Sequence, residues 1–203
     1  MATTIIKVLL VDDHPLIIEA LRSLLTPPRF VVVGAAKNIA EAEKLITSQK
    51  PEVVICDVAL ETPTDGLDLL RKYTTERSPL FVMLSSFHFP SLIRSAFEAG
   101  AMGYVLKTTE LEKLREIIIT ISEGQTYFSS GMLKLVRTAY KMPSAAELKI
   151  LKLLVKGDTN ATIATELCLS ENTVESHLRR LFGRYEVFNR GELVAKAQAE
   201  GWI

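Results

Sequence analysis

The chain has 203 residues, of which 48% are apolar and 24% charged, and its 24 basic side chains balance 24 acidic ones. That length suits two domains of roughly 100 residues each, and no apolar run approaches the roughly 20 residues needed to cross a bilayer. Zero net charge gives nucleic-acid binding no bulk support, so any such activity must be written in local pattern. The start enters an apolar segment with Lys7 as its one positive charge, unlike a signal peptide, so a cytoplasmic protein is expected. Cys56 and Cys168 lie in apolar patterns without metal-ligand spacing and are expected as two reduced core thiols.

From the start to about Ile121, apolar strand-like runs alternate with segments of helical period. Ile5–Val11, Phe30–Gly34, Val53–Asp57, Leu80–Ser85 and Gly103–Leu106 read as strands. Pro15–Leu25, Ile39–Gln49, Gly66–Glu76, Pro90–Ala99 and Glu110–Ser122 read as amphipathic helices. Short, continuously apolar strands alternating with helices predict an α/β doubly wound, five-stranded parallel sheet covered on both faces. The alternation stops after Glu123-Gly124, and residues 123–142 are expected as a linker that can hold a helix across Met132–Tyr140.

From Pro143 the pattern is purely helical, with segments near Ser144–Lys156, Thr159–Leu167, Glu171–Tyr185 and Arg190–Glu200. Ser144 followed by Glu147 fits a capping box, and Ser170 and Asn189 can cap the helices after them. The expected organisation is therefore residues 1–122, a linker over 123–142, and a small all-α domain over 143–203.

In an open parallel sheet, ligands bind beyond the carboxyl ends of the strands, where strand order reverses. The first strand ends in Asp12-Asp13, the third in Asp57, the fourth in Ser85, and the fifth just before Lys107. Three carboxylates brought together raise one another's pKa unless a cation sits among them. A hard divalent ion such as Mg²⁺ suits oxygen ligands and phosphate. Asp57 can then serve as nucleophile toward a phosphoryl group, with Lys107 neutralising charge and Ser85 donating a hydrogen bond.

The segments Val8–Pro15, Val54–Asp57, Leu84-Ser85 and Gly103–Lys107 resemble the flavodoxin-like receiver domain of two-component response regulators. The resemblance implies Asp57 as phospho-acceptor, with Asp12, Asp13, Asp57 and the backbone carbonyl of Ala59 as the Mg²⁺ site. It further implies Ser85 and Tyr104 as switch residues and Lys107 as the phosphoryl-contacting base. Val58–Gly66 departs from the family's shorter turn. The resemblance also places Ala59 and Phe87 at positions that in the family influence attack by water, and Phe87, bulky and not a base, predicts slow self-hydrolysis.

Ala161–Tyr185 has the layout of a helix-turn-helix, whose second helix reads the major groove. Ile163, Ala164 and Leu167, then Val174, Leu178 and Leu181, form inner faces around the Leu169-Ser170 turn. With Gly157, Thr173, His177 and Asn189-Arg190, this string resembles the LuxR-type helix-turn-helix of the NarL/FixJ class. The expected DNA contacts are Asn172, Thr173, Ser176, Arg179, Arg180 and Arg184, with His177 as a packed structural residue. Glu175 stands where a basic residue is frequent, and a carboxylate there can accept from a cytosine amino group while repelling phosphate. Eight basic and eight acidic residues follow Pro143, so weak non-specific affinity is expected.

The resemblance thus implies a transcription factor rather than an enzyme. Its expected partners are a sensor histidine kinase, double-stranded promoter DNA and a second copy of itself, with no membrane. A phosphohydrolase with an Asp nucleophile usually has a second Asp two residues on, where this chain has Ala59. A phosphorylation-independent regulator that keeps the receiver fold is the alternative.

Overall fold

The computed structural model describes residues 5–60, 65–73, 79–137 and 142–203, and the chain folds as two compact units. In the first, strands β1 (Ile6–Val11), β2 (Phe30–Ala36), β3 (Val53–Asp57), β4 (Leu80–Ser85) and β5 (Gly103–Leu106) form one sheet in the order β2-β1-β3-β4-β5. Every neighbouring pair is parallel. Period-two alternation divides the strand side chains between two cores. Val8, Leu10, Ile55, Val82 and Leu84 face helices α1 (Pro15–Leu24) and α5 (Leu111–Ser122), which bury Leu21, Leu114, Ile117, Ile118 and Ile121.

Leu9, Val11, Val54, Cys56, Phe81 and Met83 face α2 (Ile39–Gln49), α3 (Asp65–Tyr73) and α4 (Pro90–Glu98). Each fully buried Leu, Ile or Val in these layers contributes about 1.5–3 kcal/mol relative to exposure. The chain leaves β1 to one side for β2 and to the other for β3, so the crevice at the carboxyl ends of β1 and β3 is the point where order reverses. The end of the expected third helix, Thr74–Glu76, lies outside the described residues, as does Glu61–Thr64 of the loop after Asp57.

Part of the segment expected as linker is packed onto this unit. Tyr127 forms a parallel bridge with Gly103 beside edge strand β5, its amide donating to the Met102 carbonyl at 2.7 Å. Helix α6 (Ser130–Arg137) then lies over α4: Phe128 and Met132 are buried in the core that holds Ile93, Ala96 and Tyr104. Phe97 and Phe128 meet edge to face at 5.2 Å, and the buried Arg94 guanidinium donates to the Leu135 carbonyl at 2.7 Å. The remainder of the helix expected to end at Tyr140 lies outside the described residues.

The second unit comprises α7 (Ala145–Val155), α8 (Asn160–Glu166), α9 (Glu171–Tyr185) and α10 (Arg190–Ala199). Ile150, Leu151, Leu154, Ile163, Ala164, Val174, Leu178, Leu181, Leu193 and Trp202 form its core. The caps fall where the sequence placed them: Ser144 and Glu147 make both bonds of a capping box, Ser170 accepts from the Thr173 amide, and Asn189 accepts from the Glu192 amide. No helix among the described residues is long and apolar enough to cross a membrane.

One cysteine departs from expectation. Cys56 is buried, but Cys168 is exposed. Cys168 ends α8 in the left-handed region (φ 53°), its amide reaching the Thr165 carbonyl while the Leu169 amide reaches Ala164. This double bond pattern closes a helix by turning the chain outward, which takes the Cys168 side chain out of the apolar pattern it follows in sequence.

Candidate functional site: an acidic pocket and a recognition helix

Strand register sets the pocket. Val11 pairs with Cys56, Asp57 with Leu84, and Ser85 with Leu106, so the residues at or just past the strand ends emerge at one level. Lys107 reaches back across this edge, its Nζ 2.8 Å from Asp12 Oδ2 and 2.7 Å from Asp57 Oδ2. The Asp12 and Asp57 side chains are only 2% and 5% exposed, so neither charge is met by bulk water. Asp13 is more open, and Asp57 Oδ1 also accepts from the Ala59 amide at 3.2 Å.

The electrostatics follow from this crowding. Burial raises the Asp57 carboxyl above the usual range, against the hydrogen bond and charge of Lys107, while the neighbouring Asp12 raises it further. Burial alone would lower Lys107, but its bonds to Asp12 and Asp57 outweigh that and hold its pKa above the ordinary lysine value. Burial, followed by the charges of Asp57 and Asp12, pushes the Cys56 thiol far up, leaving it an inert core group.

Asp12, Asp13, His14 and Asp57 each bring a ligand atom to within 4.8 Å of the others. The donors fit a hard divalent ion: mostly carboxylate oxygens, two of them with one ammonium between them. His14 was not among the expected ligands. Its backbone amide donates to Asp12 Oδ1 at 2.9 Å and its Nδ1 lies 2.7 Å from Asp13 Oδ1. A turn at the strand end brings it there, and its adjacency to Asp12-Asp13 was the available signal.

Gly66 closes the loop beside the acceptor. A Cβ at that position would stand 1.9 Å from the Asp57 carbonyl oxygen, so only glycine lets the start of α3 pass there. Its amide donates to the Val58 carbonyl at 3.1 Å.

Ser85 and Tyr104 are linked through Phe87. The Ser85 hydroxyl accepts from the Phe87 amide at 3.1 Å, and the Tyr104 hydroxyl donates to the Phe87 carbonyl at 2.9 Å. Tyr104 is wholly buried, and that burial pushes its phenol up to about 12 despite a hydrogen bond with Ser85. The Phe87 ring itself is half exposed.

On α9, Val174, Leu178 and Leu181 turn inward while Asn172, Glu175, Ser176, Arg179 and Arg180 are exposed; Thr173 and His177 are intermediate. The expected contacts are not equally free. Thr173 shares a 2.8 Å hydrogen bond with the Ser170 hydroxyl, Ser176 donates to the Asn172 carbonyl, and Arg180 Nε donates to the Ser176 carbonyl. Arg179 pairs with Glu175 at 2.6 Å. Arg184 is held by Glu147 of α7 at 2.9 Å, so its guanidinium serves the fold. Arg190 likewise ties α10 to the start of α8 through the Asn160 side chain and the Asp158 carbonyl.

Residues 8–119 match the response regulator receiver domain and residues 144–197 match the bacterial regulatory proteins of the luxR family. The chain belongs to the LuxR-type response regulators. The virulence-factor transcription regulator BvgA of Bordetella pertussis is 30% identical, over 95% of this chain and 96% of its own. The response regulator ChrA of a heme-sensing two-component system is 30% identical, with a TM-score of 0.56 covering 98% of both chains. RcsB of Salmonella enterica serovar Typhimurium, solved bound to a promoter with a phosphomimetic, shares the fold at 21% identity, with a TM-score of 0.68 covering 97% of this chain and 98% of that one. The regulator is therefore a transcription factor with a receiver and a LuxR-type DNA-binding domain.

Proposed function

We propose that the regulator accepts a phosphoryl group on Asp57 from a sensor histidine kinase and thereby changes its self-association and its binding to promoter DNA through residues 143–203. The observation that carries the reading is Lys107 bridging the buried carboxylates of Asp12 and Asp57. An Asp57 carboxylate oxygen attacks phosphorus, the bond from phosphorus to the donor's histidine nitrogen breaks, and an acyl phosphate forms. Asp12, Asp13, Asp57 and the Ala59 carbonyl would hold Mg²⁺, which supplies positive charge to the phosphoryl oxygens when bound.

Lys107 moves its ammonium from the carboxylate to the new phosphoryl oxygens, since neither Asp57 oxygen of the acyl phosphate carries the charge that held it. The Ser85 hydroxyl turns from the Phe87 amide to donate to the phosphoryl group. Releasing that amide alters the segment leading into α4, and with it the docked α6. Because the DNA-binding half carries no net charge, affinity gained by pairing two copies is the simplest output.

The test is phosphorylation of the full chain by a small phosphoryl donor, followed by intact mass, sizing and DNA-binding titration. The wild type should gain one phosphoryl group, self-associate and bind promoter DNA more tightly, and Asp57→Ala should do none of these. One observation favours a second reading, of a regulator that acts without phosphorylation: Tyr104 is already fully buried, so no inward motion of its ring is left for a signal to drive. An Asp57→Ala protein with undiminished DNA affinity would select that reading.

A further inference from the structure

The charge that α9 offers to DNA is not a row of cations. Its exposed face carries Glu175 and Arg179 one turn apart and joined at 2.6 Å, the carboxylate 49% and the guanidinium 77% exposed. An exposed pair at this spacing adds little to the stability of a helix, so stability is a poor account of it. Beside it, Ser176 donates to the Asn172 carbonyl and Arg180 Nε to the Ser176 carbonyl. Arg184 is drawn away to Glu147.

We infer that Glu175 and Arg179 together read one C·G base pair, a proposal that rests on α9 being the groove helix. In the major groove a C·G pair shows, side by side, the cytosine N4 amino donor and the guanine O6 and N7 acceptors. The Glu175–Arg179 pair shows the complement, an acceptor-only carboxylate beside a fork of donors. Arg179 spends one NH2 group on Glu175, and the remaining N–H groups of its guanidinium can meet guanine. Glu175 accepts from cytosine N4.

The same charges reject other arrangements. A reversed G·C pair sets guanine O6 against the carboxylate and the cytosine amino group against the guanidinium. A T·A pair sets thymine O4 and the adenine amino group in the same mismatched order. An A·T pair offers one acceptable partner to each and is rejected least. Away from such a pair the carboxylate faces phosphate and is repelled, which explains why an acidic residue on this face serves discrimination rather than affinity.

The experiment is selection from a randomised duplex library by the full-length regulator, phosphorylated with a small donor, in three forms: wild type, Glu175→Gln and Arg179→Ala. Titration of the selected and single-substituted duplexes over a salt series follows. Wild type should enrich a C·G pair at one position of each half-site and prefer it over G·C by about tenfold or more. Glu175→Gln should lose most of that preference while binding random duplex more tightly, with a salt slope steeper by about one. Arg179→Ala should lose the same position.

Three results would overturn the inference. They are an identical selected site with equal discrimination for wild type and Glu175→Gln, a wild-type site that lacks a C·G pair under this part of the helix, and a preference at that position left intact by Arg179→Ala. If wild type enriches no sequence at all, the reading of α9 as the groove helix fails and takes this inference with it. Circular dichroism of each variant separates these outcomes from a misfolded helix.

Discussion

The buried hydroxyl of Tyr104 donates to the backbone carbonyl of Phe87 at 2.9 Å, fastening β5 to the segment between β4 and α4. Tyr104→Phe keeps the ring and strands that carbonyl, so it should cost about 1 kcal/mol. Urea unfolding followed by far-ultraviolet circular dichroism measures the loss. The response of DNA affinity to beryllofluoride should weaken in the same variant, because the Phe87 segment is no longer tied to the sheet.

Phe87 is half exposed and its side chain carries no base. Phe87→Glu should therefore speed loss of the phosphoryl group several-fold, read as decay of the phosphorylated mass after the donor is removed. An unchanged rate would rule out a part for this side chain in phosphoryl lifetime.

Lys107 compensates two carboxylates at once, at 2.8 and 2.7 Å. Lys107→Met should destabilise the first unit by about 3 kcal/mol, as expected when one partner of a buried ionic cluster is removed. Combining it with Asp57→Asn should recover part of that loss, and a double-mutant cycle in urea gives the coupling. Mg²⁺ should raise the melting temperature of the wild type and do so much less in Asp57→Asn.

Glu147 links two devices, the capping box of α7 and the ion pair with Arg184 of α9. Burial would raise its carboxyl, but the Ser144 amide and the Arg184 guanidinium outweigh that and hold it below the ordinary value of 4.5. A depressed carboxyl stabilises the fold above that ordinary value and ceases to do so as pH falls through the lower, folded one. The second unit should thus lose stability below about pH 4.5. Glu147→Gln should flatten this dependence and cost about 2 kcal/mol at neutral pH. Trp202, the single tryptophan, is buried 4.5 Å from the Tyr185 ring and reports that unit by fluorescence.

Helix α6 is held by Phe128, Met132 and the Arg94 bond to Leu135. Phe128→Ala should cost about 3 kcal/mol. Arg94→Met should change global stability by about 1 kcal/mol, yet raise hydrogen exchange at amides of 130–137 well above wild type. Equal exchange in both proteins would show that the guanidinium does not hold the helix.

What the sequence discloses follows from the range of the forces involved. The strand ends bearing Asp12, Asp57 and Ser85, and the caps at Ser144, Ser170 and Asn189, depend on neighbours a few residues away, and the pattern exposes them. Arg184 looks like a groove contact on a helical wheel because its partner Glu147 lies 37 residues earlier. Cys168 and Glu186 adopt left-handed conformations without glycine to mark them, so the turns after α8 and α9 carry no local signal. Tyr127 and Met132 sit in a stretch with no strand alternation, and their place against β5 and α4 is set by tertiary packing alone.

The docked connector also decides where this protein can be cut and rejoined. A splice at Ser122 would strip Phe128 and Met132 from the core beneath α4 and take from Phe97 the ring it packs against, handing any new output module an unstable sensor. A splice beyond Arg137 keeps that apolar surface covered. For gene fusion, and for the exchange of output modules among regulators of this kind, the heritable piece is the α/β sheet together with the helix that follows it.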